Sequence, residues 1–334
     1  MEKNRLSNFR CFLFLLCAAA LMACQKTGKE EDSETDGDKG IILGFSQIGA
    51  ESAWRNCNSR SIQEAAAAAG IQLLFNNAEQ KQENQIKAIR SFIAYQVDVI
   101  AFVPIVAGGW NNVLQEAKDA GIPVLVTDRK IDIEDENLYA GFIGTDSVQE
   151  GRDAAKFLLK KFEGRPASPD NPIRIIELSG TTGSSPAMGR AQGFREIIDQ
   201  YPQFQIIYSE SGDFLRSKGY ELMRSVLSSL DEIDVIFSHN DGMTLGVLDA
   251  IKEKGINPGT DIVIVTIDAE QAAIDALKRG EVNCVVECNP KTGPEIMQLA
   301  RKLARGDTID RFIHVEEVVF SEGDDLSGLA PRGY

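Results

Sequence analysis

An acid, an indole and a guanidinium fall within one turn of chain, where a short apolar run gives way to a helical pattern. The stretch is GFSQIGAESAWR, residues 44–55, and Ser52 in it is suited to cap the helix. A helix start needs none of the side chains of Glu51, Trp54 and Arg55. A site for a small, polar, ring-shaped molecule would use all three, so we predict a binding site here.

Further polar side chains follow other apolar runs. One run ends at Asp128-Arg129, others are followed by Asn240 and by Asp268, and Arg190 lies one turn into a helix. The plain alternatives are a surface ion pair for Asp128 and Arg129, helix caps for Asn240 and Asp268, and a solvated charge for Arg190. We favour binding, because these runs are expected to be strands that end at one edge. For Arg190 the two alternatives stay balanced.

The charges of these candidates indicate what kind of ligand they suit. A phosphate or a carboxylate would require an excess of cations. A balanced set of fixed charges suits a neutral polyol instead. The set contains three guanidinium groups and three carboxylates: Arg55, Arg129, Arg190, Glu51, Asp128 and Asp268.

The sequence carries no motif for catalysis or for a cofactor. No Gly-x-Ser-x-Gly elbow, Walker loop or Gly-x-Gly-x-x-Gly follows a predicted strand. Paired carboxylates can hydrolyse a glycoside, but six charges of both signs resemble a binding cage more than an acid–base pair. We therefore expect a binding protein with no cofactor and no enzymatic activity.

Composition and length narrow the class of protein. A chain of 334 residues exceeds what one core usually serves, so two domains are expected. The formal charge of −15 argues against a nucleic-acid partner. Two of the three cysteines beyond residue 24, Cys284 and Cys288, would lie about 13 Å apart in a strand, too far for a disulfide. These cysteines and only two histidines predict no metal site.

The first forty residues have the pattern of an exported lipoprotein. Basic residues precede an apolar run from residue 11 to residue 22, which is too short to span a bilayer. Leu21-Met22-Ala23-Cys24 resembles a bacterial lipobox, although an ordinary secretory signal is an alternative. We predict a signal peptide at residues 1–23, a lipidated Cys24 and an acidic, disordered tether over residues 24–40. The protein would then be anchored by lipid in the cell envelope, on a periplasmic or extracytoplasmic face.

From residue 41 onwards, short apolar runs alternate with longer amphipathic segments. Such alternation is typical of βαβ units on parallel sheets, so the fold class is α/β with two doubly wound lobes. The strands are predicted at 41–46, 71–76, 98–102, 123–127, 173–178, 204–209, 234–237, 262–267 and 283–287. The helices are predicted at 52–69, 79–95, 109–120, 147–162, 186–200, 214–229, 241–254, 270–280 and 291–304.

Several of these segments together resemble a known family, the ribose/galactose-type (type I) periplasmic sugar-binding proteins of ABC importers. The segments are residues 44–55, QKQENQIKAIRSF at 80–92, Asp128-Arg129, SGDF at 211–214, SKG at 217–219, HND at 239–241 and Ile267-Asp268. The resemblance runs from residue 41 to the last residue. Ala53 stands where a close relative has glycine, and the lipobox departs from the many relatives that are free in the periplasm.

The resemblance implies a fold, a set of site residues and a partner. It implies two lobes joined by a three-strand hinge, with residues 41–145 and 289–308 in the first lobe and residues 146–288 and 309–334 in the second. It implies a galactofuranose-like monosaccharide as the first choice of ligand, with ribose, arabinose or another hexose behind, and an ABC permease as the partner of a monomer. The implied sugar contacts are Glu51, Ser52, Ala53, Trp54, Arg55, Asp128, Arg129, Arg190, Asn240 and Asp268.

Two other functions use the same fold. A sensor would present its bound sugar to a chemoreceptor or to a sensor kinase, and this alternative stays open. A repressor would need a DNA-binding helix-turn-helix at the N-terminus. That part of the chain is instead a signal peptide and an acidic tether, so we set the repressor aside.

Overall fold

The computed structural model describes residues 40–165, 171–230 and 232–334. The predicted signal peptide, Cys24 and all but the last residue of the tether lie outside these ranges. Within them, no helix combines the length and the apolar character needed to cross a bilayer.

The first lobe contains a six-stranded parallel sheet in the order β11-β5-β4-β3-β1-β2. Its strands are apolar on both faces because helices cover both. Val99 and Ala101 face one core, whereas Ile100 and Phe102 face the other. The strands are β1 Ile42–Gln47, β2 Gln72–Asn77, β3 Val99–Phe102, β4 Val124–Thr127, β5 Gly141–Gly144 and β11 Phe312–His314. The helices are α1 Ala53–Ala69, α2 Gln82–Tyr95, α3 Asn111–Asp119 and α9 Gly293–Ala304.

The second lobe repeats this plan with the order β12-β10-β9-β8-β6-β7, in which only β12 is antiparallel to its neighbour. Both sheets therefore bring the carboxyl ends of their parallel strands to one edge. The strands are β6 Ile173–Ser179, β7 Phe204–Ser211, β8 Val235–Ser238, β9 Val263–Asp268, β10 Cys284–Glu287 and β12 Val319–Ser321. The helices are α4 Ser147–Lys161, α5 Ser185–Ile198, α6 Arg216–Ser229, α7 Asp241–Glu253 and α8 Gln271–Lys278.

The chain crosses between the lobes three times, after β5, after β10 and after β11. The two parallel-sheet lobes predicted from the sequence are confirmed. The assignment of residues 309–334 to the second lobe is wrong for Phe312–His314, because this strand pairs with β5 in the first sheet. The third crossover therefore lies between His314 and Val319. Residues 141–144 form β5, a strand that was not predicted.

Glycines allow α4 and α5 to pack closely against each other. A Cβ added at Gly193 would lie 1.9 Å from the Val148 carbonyl oxygen, and one added at Gly151 would lie 2.2 Å from the Arg190 carbonyl oxygen. Neither backbone atom can move away as the end of a side chain could. The close crossing brings Glu150 on α4 against Arg190 on α5.

We expect Gly193→Ala to lower the free energy of unfolding by about 1–3 kcal/mol, because the added methyl would force the two helices apart. Urea denaturation measures this change. The matched control is Gly328→Ala, since a Cβ at Gly328 meets nothing within 4 Å. Equal stability of the two variants would contradict the proposed close packing.

Candidate functional site

A cavity lies between the lobes at the carboxyl ends of their strands, and both lobes line it. The space not occupied by atoms is about 430 Å³, and this figure includes open solvent at the mouth of the cavity. The lining residues are Glu51, Ser52, Trp54, Arg55, Asp128, Arg129, Thr145, Ser147, Pro186, Arg190, Phe214, Asn240, Asp268 and Cys288.

Nine of the ten residues predicted to contact a ligand line this cavity. The exception is Ala53, which is exposed and does not line it. Ser52 caps α1, as its type suggested, because its Oγ accepts a hydrogen bond from the Arg55 amide at 3.1 Å. Ala53 begins the helix at the next position and is exposed. The cavity gives no support to a ligand contact of Ala53, which stays a prediction.

In the first lobe, Arg55 is buried between two carboxylates. Its Nε lies 3.0 Å from a Glu51 oxygen, one helix turn away, and its Nη2 lies 2.7 Å from an Asp128 oxygen. Burial alone would lower the pKa of Arg55, but the charges of Asp128 and Glu51 outweigh it and raise that pKa. Arg55 is therefore a permanent cation, held in one position.

The second lobe contains the same arrangement around Arg190. Its Nε lies 2.6 Å from a Glu150 oxygen, and its Nη2 lies 3.7 Å from an Asp268 oxygen. Burial favours a lower pKa of Arg190, yet the nearby Glu150 charge, among others, raises it. Burial also raises the pKa of Asp268 well above its usual value, against the opposing effect of Arg190. Hydrogen-bond donors on a ligand would stabilise the ionised form of Asp268.

Arg129 is the third guanidinium of the cavity, and its environment differs. It donates from Nη1 to the Ile105 carbonyl oxygen at 2.9 Å. Burial and then repulsion from Arg55 lower the pKa of Arg129 to about 10. Its guanidinium carbon lies 5.4 Å from the centroid of the Phe214 ring, which belongs to the other lobe.

Three of the loops that follow strands contain residues with left-handed backbone. Asp128 after β4 has φ 62°, Phe214 after β7 has φ 62°, and Asp268 at the end of β9 has φ 131°. Such angles cost on the order of 1–3 kcal/mol in residues other than glycine, and they cluster at functional sites. All three residues line the cavity.

The Phe214 ring also requires a glycine beneath it. A Cβ at Gly180 would lie 1.8 Å from a carbon of that ring. The loop after β6, which carries Gly180, therefore sets the position of an aromatic wall of the cavity.

Asn240 caps the helix that follows β8, which was the plain alternative for its role. It accepts the Met243 amide through its side-chain oxygen at 3.0 Å and donates to the Phe214 carbonyl at 3.3 Å. Asp241 accepts hydrogen bonds from Thr266 and from the Glu270 amide. Asn240 nevertheless lines the cavity, so capping and ligand contact do not exclude each other.

Several residues of the cavity wall are not among the predicted contacts. Thr145 and Ser147 follow β5, a strand that the sequence does not predict. Cys288 directly follows β10, so the rule for strand ends could have identified it. Phe214 belongs to the SGDF segment of the resemblance but is not one of its implied sugar contacts.

The lobes contact each other around the cavity. The Ala107 amide donates to the Gly183 carbonyl at 3.0 Å, and the Lys130 amide donates to Ser185 Oγ at 2.7 Å. Trp54 belongs to a first-lobe helix, but its amide donates to Glu270 at 3.0 Å and its indole packs in a second-lobe core. These contacts describe a closed arrangement of the two lobes.

Two carboxyl groups meet beneath the cavity, where the third crossover passes α4. One oxygen each of Glu150 and Glu317, with the Cys288 sulfur, lie within 4.8 Å of one another. Glu150 Oε1 and Glu317 Oε1 are both buried and have no hydrogen-bond donor among the described residues. Burial, together with the charge of Glu150, raises the pKa of Glu317 well above its usual value. The geometry thus favours a proton shared between the two carboxyl groups.

Comparison with known proteins places the chain in one family. The sequence model of one family, described as 'periplasmic binding protein domain', matches residues 43–308. The galactofuranose-binding protein YtfQ of Escherichia coli is 41% identical over 80% of this chain and 84% of its own length.

Solved structures agree with this assignment. A Mycobacterium smegmatis protein in complex with β-D-fucofuranose is 45% identical, with a TM-score of 0.84 over 87% of this chain and 94% of its own. The binding component of the arabinose ABC transporter from Shewanella sp. ANA-3, bound to α- and β-L-arabinofuranose, is 40% identical, with a TM-score of 0.80 over 84% of this chain and 92% of its own.

The shared proton predicts a dependence of stability on pH. Glu317 keeps its proton in the folded state at pH values where the unfolded chain, with a pKa near 4.3, has lost it. The folded state then binds more protons, so the free energy of unfolding falls as pH rises, by up to about 1.4 kcal/mol per unit. Glu317→Gln cannot ionise and is expected to lack this loss between pH 6 and pH 8.

Urea denaturation at several pH values measures the effect. The exposed neighbour provides the control, since Glu316→Gln should retain the pH dependence of the wild-type protein. Parallel curves for the wild-type protein and Glu317→Gln would show that no proton is held at this position.

Proposed function

The chain belongs to the periplasmic binding protein family, and we propose that it binds a monosaccharide in furanose form between its lobes and delivers it to an ABC permease. Its family consists of substrate-binding proteins, so the expectation that the chain is not an enzyme is confirmed. Membership also implies a location in the periplasm or elsewhere outside the cytoplasm.

The observation that carries this proposal is a set of buried polar atoms that lack partners around the cavity. Glu51 Oε2 can only accept hydrogen bonds, whereas Arg55 Nη1 and Arg129 Nε can only donate them, and none has a partner among the described residues. Leaving such atoms unsatisfied is costly. A sugar hydroxyl both donates and accepts, so a polyol can satisfy groups of both kinds at once.

The balance of charge and the ring surfaces support a neutral sugar. Guanidinium and carboxylate groups stand in equal number among Arg55, Arg129, Arg190, Glu51, Asp128 and Asp268, all of which line the cavity. The ring of Phe214 provides an apolar wall for the C–H face of a sugar. The relatives named above bind furanose sugars according to their descriptions, so a galactofuranose-like sugar is our first choice.

The closed arrangement suggests how binding leads to delivery. A ligand that contacts both lobes stabilises the closed state by the contacts that the open state lacks. We propose that the permease recognises this closed state. We further propose that lipid on Cys24 keeps the protein near its permease; more than one acyl chain would be needed for stable anchoring.

Titration calorimetry with D-galactose, D-fucose, L-arabinose, D-ribose and D-fructose, all of which include furanose forms in solution, tests the proposal. We expect at least one sugar to bind and to raise the unfolding midpoint, with a gain of about 2.7 kcal/mol at a 100-fold excess over Kd. Arg129→Ala and Asp268→Asn should each weaken binding about 10- to 100-fold, because each removes a charged hydrogen-bonding group.

The control for Asp268 is Asp249→Asn in the same lobe, since Asp249 is exposed and forms an ion pair with the exposed Arg216. It should bind like the wild-type protein. Failure of every sugar to bind, or equal affinity of the Asp268 and Asp249 variants, would refute the proposed site.

A further inference from the structure

The loop that carries Asp268 has unfavourable backbone angles, so contacts with other parts of the chain must stabilise its conformation. Asp268 has φ 131° and Ala269 has φ 65°, although neither is glycine. The Cys288 amide donates to the Asp268 carbonyl at 3.2 Å, which ties the loop to the strand beside it. The other groups that reach these two carbonyls come from residues 332–334, far away in the sequence.

Three residues, Arg332, Gly333 and Tyr334, lie along this loop. The Tyr334 hydroxyl donates to the Asp268 carbonyl at 3.3 Å, and Arg332 Nε donates to the Ala269 carbonyl at 3.2 Å. The Tyr334 carbonyl accepts the Gln271 amide at 2.7 Å, which satisfies the first N–H of α8. The segment thus contacts the backbone at Asp268, at Ala269 and at Gln271.

Arg332 and Tyr334 are in turn fixed by each other and by β10. Arg332 Nη2 donates to the Tyr334 hydroxyl at 2.9 Å and forms an ion pair with Glu287 at the end of β10. Only 15% of the Arg332 side chain is exposed. The chain just before residues 332–334 packs differently, because Leu326 and Leu329 lie against an apolar core.

Residues 332–334 also reach the first lobe. Arg60 on α1 donates from Nη2 to the Gly333 carbonyl at 2.8 Å. The Lys291 ammonium, on the second crossover, lies 5.8 Å from the centroid of the Tyr334 ring. The segment therefore connects the Asp268 loop of the second lobe to a helix of the first lobe in the closed arrangement.

We propose that residues 332–334 form a strap that holds Asp268 in position for the ligand and, through Arg60, stabilises the closed arrangement. Tyr334 and Arg60 are positioning residues, because neither lines the cavity. The part of this inference that concerns affinity rests on the proposed function. The part that concerns the loop does not.

Tyr334→Phe tests the hold on the loop without any ligand. It removes one hydroxyl and keeps the ring, so the fold should persist. In hydrogen exchange followed by mass spectrometry, we expect peptides over residues 266–272 to exchange about 3- to 10-fold faster, while the buried strand at 99–102 in the other lobe remains unchanged. Tyr95→Phe is the matched control, because Tyr95 is 58% exposed. Exchange that stays at the wild-type rate, or that rises equally everywhere, would overturn the strap.

Arg60→Ala tests the connection between the lobes. It removes an exposed side chain and should leave exchange over residues 266–272 unchanged. We expect Arg60→Ala and Tyr334→Phe each to weaken the binding of D-galactose and L-arabinose about 2- to 10-fold, mainly through faster dissociation. Arg305→Ala is the control, since the Arg305 side chain is 65% exposed and forms an ion pair with the exposed Asp307.

The outcomes separate the two proposals. Wild-type affinity in Tyr334→Phe and Arg60→Ala would overturn the role of the strap in binding, even if their unfolding midpoints fell. If the wild-type protein bound no sugar, the proposed function would fail, whereas the exchange over residues 266–272 would still decide whether the strap holds the loop.

Discussion

Two guanidinium groups buried between carboxylates are the constraint on which the rest of this structure depends. Arg55 lies between Glu51 and Asp128 in one lobe, and Arg190 lies between Glu150 and Asp268 in the other. A buried charge without a partner would cost several kcal/mol, so each pair must be complete. Once complete, these pairs hold Arg55, Arg190, Asp128 and Asp268 in the lining of the cavity between the lobes. A neutral, hydroxyl-rich ring matches such a space without adding a net charge.

The surrounding fold supplies the precision that these pairs need. Parallel strands deliver Asp128 and Asp268 to one edge, and glycines let α4 and α5 approach closely enough to join Glu150 with Arg190. Left-handed residues turn the loops back over the cavity at the cost of backbone strain. The segment at 332–334 and the crossover with Glu317 both lie close to the second-lobe pair. Polar contacts thus connect the crossovers between the lobes, the loop that carries Asp268 and the residues that line the cavity.

Much of this was predictable because strands buried on both faces leave a strong signal. All nine strands and all nine helices predicted from residue 41 onwards are present, with ends shifted by a few residues. The start of α6 is one example: it was predicted at residue 214 but begins at Arg216, because Asp213 and Phe214 have left-handed backbones. The strands β5, β11 and β12 were missed: β5 is a Gly-Phe-Ile-Gly run with a glycine at each end, and β11 and β12 are only three residues long and partly exposed.

The site was predictable in its location and less so in its details. The rule that ligands meet the ends of parallel strands led to Asp128, Asn240 and Asp268, which line one cavity. The same rule could not show that Ala53 is exposed, because one position along a helix turns a side chain by about 100°. Nor could it reveal Glu150 or Tyr334, whose contacts come from residues 40 and 66 positions away in the sequence.

A crystal structure of the protein grown with D-galactose would test the central claim most directly, since the claim is that one sugar is held by both buried charge groups. We predict a furanose ring in the interlobe cavity, with hydroxyl groups within about 3.2 Å of Arg55 or Asp128 on one side and of Arg190 or Asp268 on the other. A sugar bound outside the cavity, or held by the groups of one lobe alone, would contradict it.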